Sequence, residues 1–126
     1  MLMESFTYEI LSELYRKETN NPGLQKVQMN LYPTMNQLYD EVNTKYHEAK
    51  EIDSTSKETD RYFTMRKNTK SMIDSVRTVR FSKVCRLAFR AAEGGEADLN
   101  VMTQEEKDLY NETKELILKH IMKVTS

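Results

Sequence analysis

The 126-residue chain has no tryptophan, one cysteine, two prolines and three glycines, and each shortage removes a class of protein. With Cys85 as the only cysteine, neither an intrachain disulfide nor a cysteine-based zinc site can form, and a reducing compartment fits that usage. Scarce Gly and Pro leave few turns to punctuate strands, so a chain rich in Glu, Lys, Leu and Met should be helical almost throughout. Long apolar runs are missing as well. Nothing approaches the roughly 18 consecutive apolar residues of a membrane span, and the opening MLMESFTYEILSELY carries an acid where a signal peptide has its basic region. The expectation is a soluble, intracellular protein with no membrane contact.

Hydrophobic residues make up 38% of the chain and charged ones 31%. That balance buries thin stripes rather than a thick core, which fits elongated helices or an oligomer. The length suits one domain over residues 1–126. The expected fold is all-α, an elongated bundle of about four main helices, mostly antiparallel.

The spacing predicts a first helix from Glu4 to Thr19, with Phe6, Ile10, Leu11 and Leu14 on its apolar side. The turn NNPG ends it, since Pro22 cannot continue a helix, and LQKVQMNLY reads as an irregular or short helical connector. A second helix opens near Asn30 or Tyr32 with Pro33 in its first turn, and Met35, Leu38, Tyr39, Val42, Tyr46, Ala49 and Ile52 follow at steps of three and four. Thr55 and Glu58 form a candidate capping box. From there no Gly or Pro occurs before Gly94 and Gly95, which allows one very long helix ending in a glycine C-cap. Tyr62, Met65, Thr69, Met72, Val76 and Val79 make a coiled-coil-like seam. Beyond Val79 the apolar positions jump by two to Phe81, Val84, Ala88, Ala91 and Ala92, which turns the apolar face by roughly 200°, so the helix is expected to pass from one packing partner to another there or to be buried on more than one side. Thr103 and Glu106, in TQEE, form a second capping box before a last helix with Leu109, Leu116, Ile117, His120, Ile121 and Val124.

No catalytic constellation emerges. His47 and His120 are the only histidines, and neither stands in a Glu-x-x-His or His-x-x-x-His spacing, which argues against a carboxylate di-metal site. His120 is expected at the core edge and His47 in solvent. Cys85, among Val84, Leu87 and Ala88, reads as a buried inert thiol. No Gly-x-Ser-x-Gly elbow or glycine-rich phosphate loop occurs. Neither a cofactor nor an enzymatic activity is expected. The seven tyrosines include Tyr8, Tyr15, Tyr32 and Tyr39, which read as subunit-interface or core-edge residues.

The charge is close to balanced overall, at −1, but not locally. Residues 61–90 hold nine basic side chains against Asp74 alone, while residues 93–115 hold eight acids against two lysines. Arg77, Arg80, Lys83, Arg86 and Arg90 recur every three or four residues and form a cationic ridge on a helix. Such a ridge either binds phosphates, with strong salt dependence, or pairs with acidic helices. Phe81, Val84, Leu87 and Phe89 lie between its charges, which favours burial and pairing. Arg80 and Lys83 are therefore read as charge partners of Glu106 or other acids of the last helix, with Phe81, Val84, Leu87 and Ala88 as core against it. Arg77, Arg86 and Arg90 are left as candidates for contact with a partner or DNA. The competing readings are an autonomous helical DNA-binding module and a coiled-coil adaptor.

RFSKVCRLA, Arg80 to Ala88, resembles the Arg-x-x-Lys-apolar-x-x-Leu-Ala signature of the α-helical A domain of GINS subunits, accessory factors of the replicative helicase. GGEADLNVMTQEEKDLY, Gly94 to Tyr110, resembles the acidic loop and Thr-x-Glu-Glu helix start that follow it. ILSELYRKETNNPGLQKVQMNLYPTM resembles the family's first helix, Glu-containing turn, Leu-Gln connector and second-helix start. The resemblance covers nearly the whole chain in the right order. It implies an archaeal-type, non-enzymatic subunit of a homo- or heterotetramer. It also implies contact with the MCM helicase, a RecJ-family or related protein, and primase or polymerase, and a cytoplasmic, nucleoid-associated location, or a nuclear one in a eukaryote. Such A domains usually continue into a small β-rich B domain, which is absent from residues 1–126.

Overall fold

The computed structural model describes residues 6–125. Four α-helices follow one another: α1 (Tyr8–Asn20), α2 (Leu31–Ile52), α3 (Lys57–Ala92) and α4 (Gln104–Thr125), with one turn of 3-10 helix, Leu99–Val101, before α4. No strand occurs among the described residues, so the fold is all-α with four main helices. Glu4, the expected start of the first helix, lies outside the described residues.

Each boundary has a local cause. Thr7 caps α1, its Oγ1 accepting from the Ile10 amide at 3.2 Å. At the other end the Asn21 side chain donates to the Lys17 carbonyl at 2.7 Å, and Pro22 then prevents continuation. Pro33 sits in the first turn of α2, where its missing N–H costs nothing. The cap of α3 is Ser56, not Thr55. The Thr55 amide and hydroxyl both donate to Asp53 Oδ1, at 3.0 and 2.8 Å, which leaves Ser56 Oγ to accept from the Thr59 amide at 3.1 Å. The hydrogen bonds from the Thr55 backbone and side chain hold the exposed Asp53 carboxyl below its ordinary pKa.

Helix α3 ends in a Schellman motif. Gly94 takes φ +101°, its amide donates to Ala91 O at 3.0 Å, and the Gly95 amide donates to Arg90 O at 2.9 Å. Thr103 and Glu106 close the capping box of α4: Glu106 N donates to Thr103 Oγ1 at 3.2 Å, and Thr103 N to Glu106 Oε1 at 2.9 Å.

The chain forms two compact units. Among the described residues, one takes in residues 6–16 together with Leu31–Val76; the other takes in Lys17–Asn30 together with residues 77–125. In the first unit, α2 buries Leu31, Met35, Leu38, Val42, Tyr46 and Ala49, all on one face. Arg66 lies over the Tyr46 ring, 4.3 Å from its centroid, and donates to Asn43 Oδ1 at 3.2 Å. In the second unit, Val84, Ala88 and Ala91 of α3 form a core with Met102 and Tyr110, and Leu24, Leu87, Ala97 and Leu109 pack around it. Full burial of Val84 and Met102 contributes about 1.5–3 kcal/mol each.

The buried positions of α3 keep one stripe: Thr69, Ile73, Val76, Arg80, Lys83 with Val84, Ala88 and Ala91. The apolar face does not rotate beyond Val79. Val79 and Phe81 are only half-buried, and the step between apolar turns is filled by two charged residues. The expected change of packing partner does occur, since α3 leaves the first compact unit and enters the second between Val76 and Arg77, while Arg80 and Lys83 fill the buried places where apolar residues are missing.

Candidate functional site

The second unit is organised around charge. Arg80 and Glu106 are fully buried, as is Glu18, and Lys83 is 7% exposed. An isolated buried ion costs several kcal/mol, so each must be compensated where it stands. Arg80 Nε and Nη2 donate to Glu106 Oε2 and Oε1, both at 2.7 Å. Nη1 donates to Glu18 Oε1 at 2.6 Å and to the Gln25 carbonyl at 2.7 Å, and Nη2 also donates to the Val101 carbonyl at 3.0 Å. These contacts use all five N–H donors of the guanidinium. Lys83 Nζ donates to Glu18 Oε2 and Glu18 O at 2.6 Å each and to Gly23 O at 2.8 Å, using all three of its donors. Two cations meet two carboxylates, and no buried side-chain polar atom among the described residues lacks a partner.

The physical effect is to tie segments together. One turn of α3 supplies every cationic donor, while the end of α1, the connector at Gly23 and Gln25, the 3-10 turn at Val101 and the start of α4 supply the acceptors. Burial opposes the charged form of Arg80, but the hydrogen bonds and charges of Glu106 and Glu18 outweigh it and hold the guanidinium pKa above its ordinary value.

The sequence ridge is thus divided. Arg80 and Lys83 enter the interior, while Arg77, Arg86 and Arg90 remain exposed. Arg80 meets Glu106; Lys83 pairs with Glu18 and not with Glu106. Val84 and Ala88 belong to the core and Leu87 packs against it, whereas Phe81 is half-buried outside that cluster. Tyr8, Tyr15, Tyr32 and Tyr39 are all half-buried. Tyr8 accepts from Asn68 at 3.4 Å, and Lys70 lies 5.9 Å from the Tyr39 ring. Cys85 is half-buried rather than enclosed. His120 is exposed, not at the core edge, and His47 is exposed with its ring 5.2 Å from that of Tyr46.

Glu18 was missed as a site residue. Its signals were an acid in the last turn of α1, where the helix dipole disfavours one, and its place in the Glu-containing turn of the family resemblance; the carbonyls of Gly23, Gln25 and Val101 carry no sequence signal.

A second feature of this unit is an exposed apolar surface. Phe89, Leu116, Met122 and Val124 are 51, 57, 69 and 82% exposed. Phe89 joins Leu116, Ile117, His120, Ile121 and Val124 around an open concavity of about 400 Å³. Isolated exposed apolar residues are ordinary, but a contiguous patch marks an interaction surface.

Among the described residues, no group of three or more His, Cys, Asp or Glu side chains is placed to hold a metal ion, and no helix is long and apolar enough to cross a membrane. No curated protein matches the chain. Residues 5–125 match the Sld5 family, described as the GINS complex protein helical bundle domain. With that match spanning all four helices and the whole buried ion network, the chain belongs to the GINS complex protein family.

Proposed function

We propose that this chain is a non-catalytic GINS subunit of the DNA replication machinery. It joins other GINS subunits, identical or different, in a tetrameric core that binds and stimulates the MCM helicase. With a RecJ-family or related protein, that core links unwinding to primase or polymerase. Family membership supports the replication role and association with other GINS subunits. Residues 1–126 serve in this reading as one helical A domain.

The observation that carries the assembly is the second half of α4. Leu116, Ile117, Leu118, Ile121, Met122 and Val124 spread over about 240° of its circumference at roughly 100° per residue, and Ile117 and Ile121 are only partly covered while the others are exposed. A helix apolar on most sides belongs inside an assembly. Light scattering of the purified chain, alone and with an MCM helicase from the same source, tests this. The mass should be that of a tetramer, or become so on adding a second GINS subunit, and Leu116→Glu/Ile121→Glu should reduce it. An unchanged mass in that variant removes the basis for the proposal.

The DNA-binding alternative loses two of its five cations, because Arg80 and Lys83 spend every donor inside the protein.

A further inference from the structure

Beside the ion network lies a cleft that the assembly surface does not use. Pro22, Gly23 and Leu24 of the connector and Leu87 of α3 line a depression of about 230 Å³, together with Arg86, Arg90 and Lys83. Arg86 and Arg90 stand one helical turn apart, so their side chains are neighbours. Both are exposed, and neither meets a carboxylate among the described residues. Lys83 is already saturated by three oxygen acceptors. The cleft therefore offers two uncommitted guanidiniums beside an apolar wall.

That combination selects its ligand. Nucleic-acid backbones are held by many cations at once, each neutralising one phosphate, and this cleft supplies two. A phosphodiester also gains nothing from Pro22, Leu24 and Leu87. A peptide carboxylate gains from both sides, since guanidinium recognises it through paired N–H donors while a neighbouring aliphatic side chain covers the apolar wall. The geometry points to a docking site for an acidic segment of a partner protein, one in which Asp or Glu alternates with aliphatic residues. Arg86 and Arg90 bind its carboxylates, and Leu24 and Leu87 receive the apolar side chain.

The site is tested on the isotopically labelled full chain with a short synthetic peptide of repeated Glu-Glu-Leu as the probe. Backbone amide signals of Gly23, Leu24 and Leu87 should shift on titration, and the Gln-Gln-Leu counterpart should leave them unmoved. Arg86→Glu/Arg90→Glu should weaken the peptide by about tenfold or more, with helicity, melting temperature and assembly mass unchanged. Failure of the acidic peptide to bind, or equal binding by the reversed variant, overturns the proposal. So does equal binding of the Gln peptide. A single-stranded oligothymidylate that moves the same amides at lower concentration would make this a nucleic-acid site instead, and a change of assembly mass in the variant would make it a subunit contact.

Discussion

Arg80 and Glu106, 26 residues apart, meet in a bidentate pair, with Nε and Nη2 each 2.7 Å from a separate carboxylate oxygen. This fork-to-fork match is one that lysine cannot reproduce. Arg80→Lys supplies at most three donors where five are used, so at least two acceptors lose theirs. At about 1–3 kcal/mol for each buried acceptor left unmet, chemical denaturation should show a loss of several kcal/mol. Arg80→Met, which leaves Glu106 without its cation and Glu18 with Lys83 alone, should cost about 3–5 kcal/mol. A loss below about 1 kcal/mol in either variant would mean that water replaces the guanidinium without difficulty.

Glu18 couples the two cations, because Arg80 and Lys83 each take one of its oxygens. In a double-mutant cycle of Glu18→Gln and Lys83→Met, the effects should fail to add by about 0.5–3 kcal/mol. Lys83→Glu should be worse than Lys83→Met, since it sets a second carboxylate against Glu18. Simple additivity in the cycle would show that each side chain acts alone.

The glycine at the end of α3 should resist replacement. Gly94→Ala places a Cβ at φ +101°, which costs roughly 1–2 kcal/mol for an L-residue. Gly94→Asn, which tolerates that region better, should cost less. Equal melting temperatures for the two variants would argue that the turn relaxes to another conformation.

Stability against pH separates the two shifted groups. The folded pKa of Arg80 is raised, so its contribution is complete below its unfolded value and is lost only as pH rises through the folded one. Both lie above about 12, so Arg80 gives no slope between neutral pH and pH ~10. Asp53 is depressed, so its contribution is present above the unfolded value of about 3.9 and fades as pH falls through the folded one. The stability gap between the wild type and Asp53→Ala should therefore narrow as the solution is taken below about pH 4, which a series of urea titrations would show.

Much of the fold was legible because its signals are local. The dearth of Gly and Pro gave the all-α class, NNPG and Gly94-Gly95 gave two helix ends, and TQEE gave the α4 start. The Thr55 cap failed because Asp53, two residues earlier, captures both the amide and the hydroxyl of Thr55. The supposed rotation of the α3 face failed for a deeper reason. Arg80 and Lys83 occupy core positions, and a hydrophobicity pattern counts them as surface. The pairing of Glu18 could be found only by asking which acid could answer a buried lysine across 65 residues, a question that local spacing does not pose.

The division of labour in the ion network also sets which alignments of the chain are permitted. Every cationic donor comes from α3, and the acceptors come from segments on either side of it in sequence. If α3 slid by one helical turn, Val76 or Val84 would arrive opposite Glu18 and Glu106 in place of Arg80. Both carboxylates would then lie against hydrocarbon, at several kcal/mol per ion. The same slide would carry Arg80 into the fully buried place of Val84 or Val76. The charges act as an index mark on an otherwise repetitive helix, and only one setting of that helix leaves none of them unanswered.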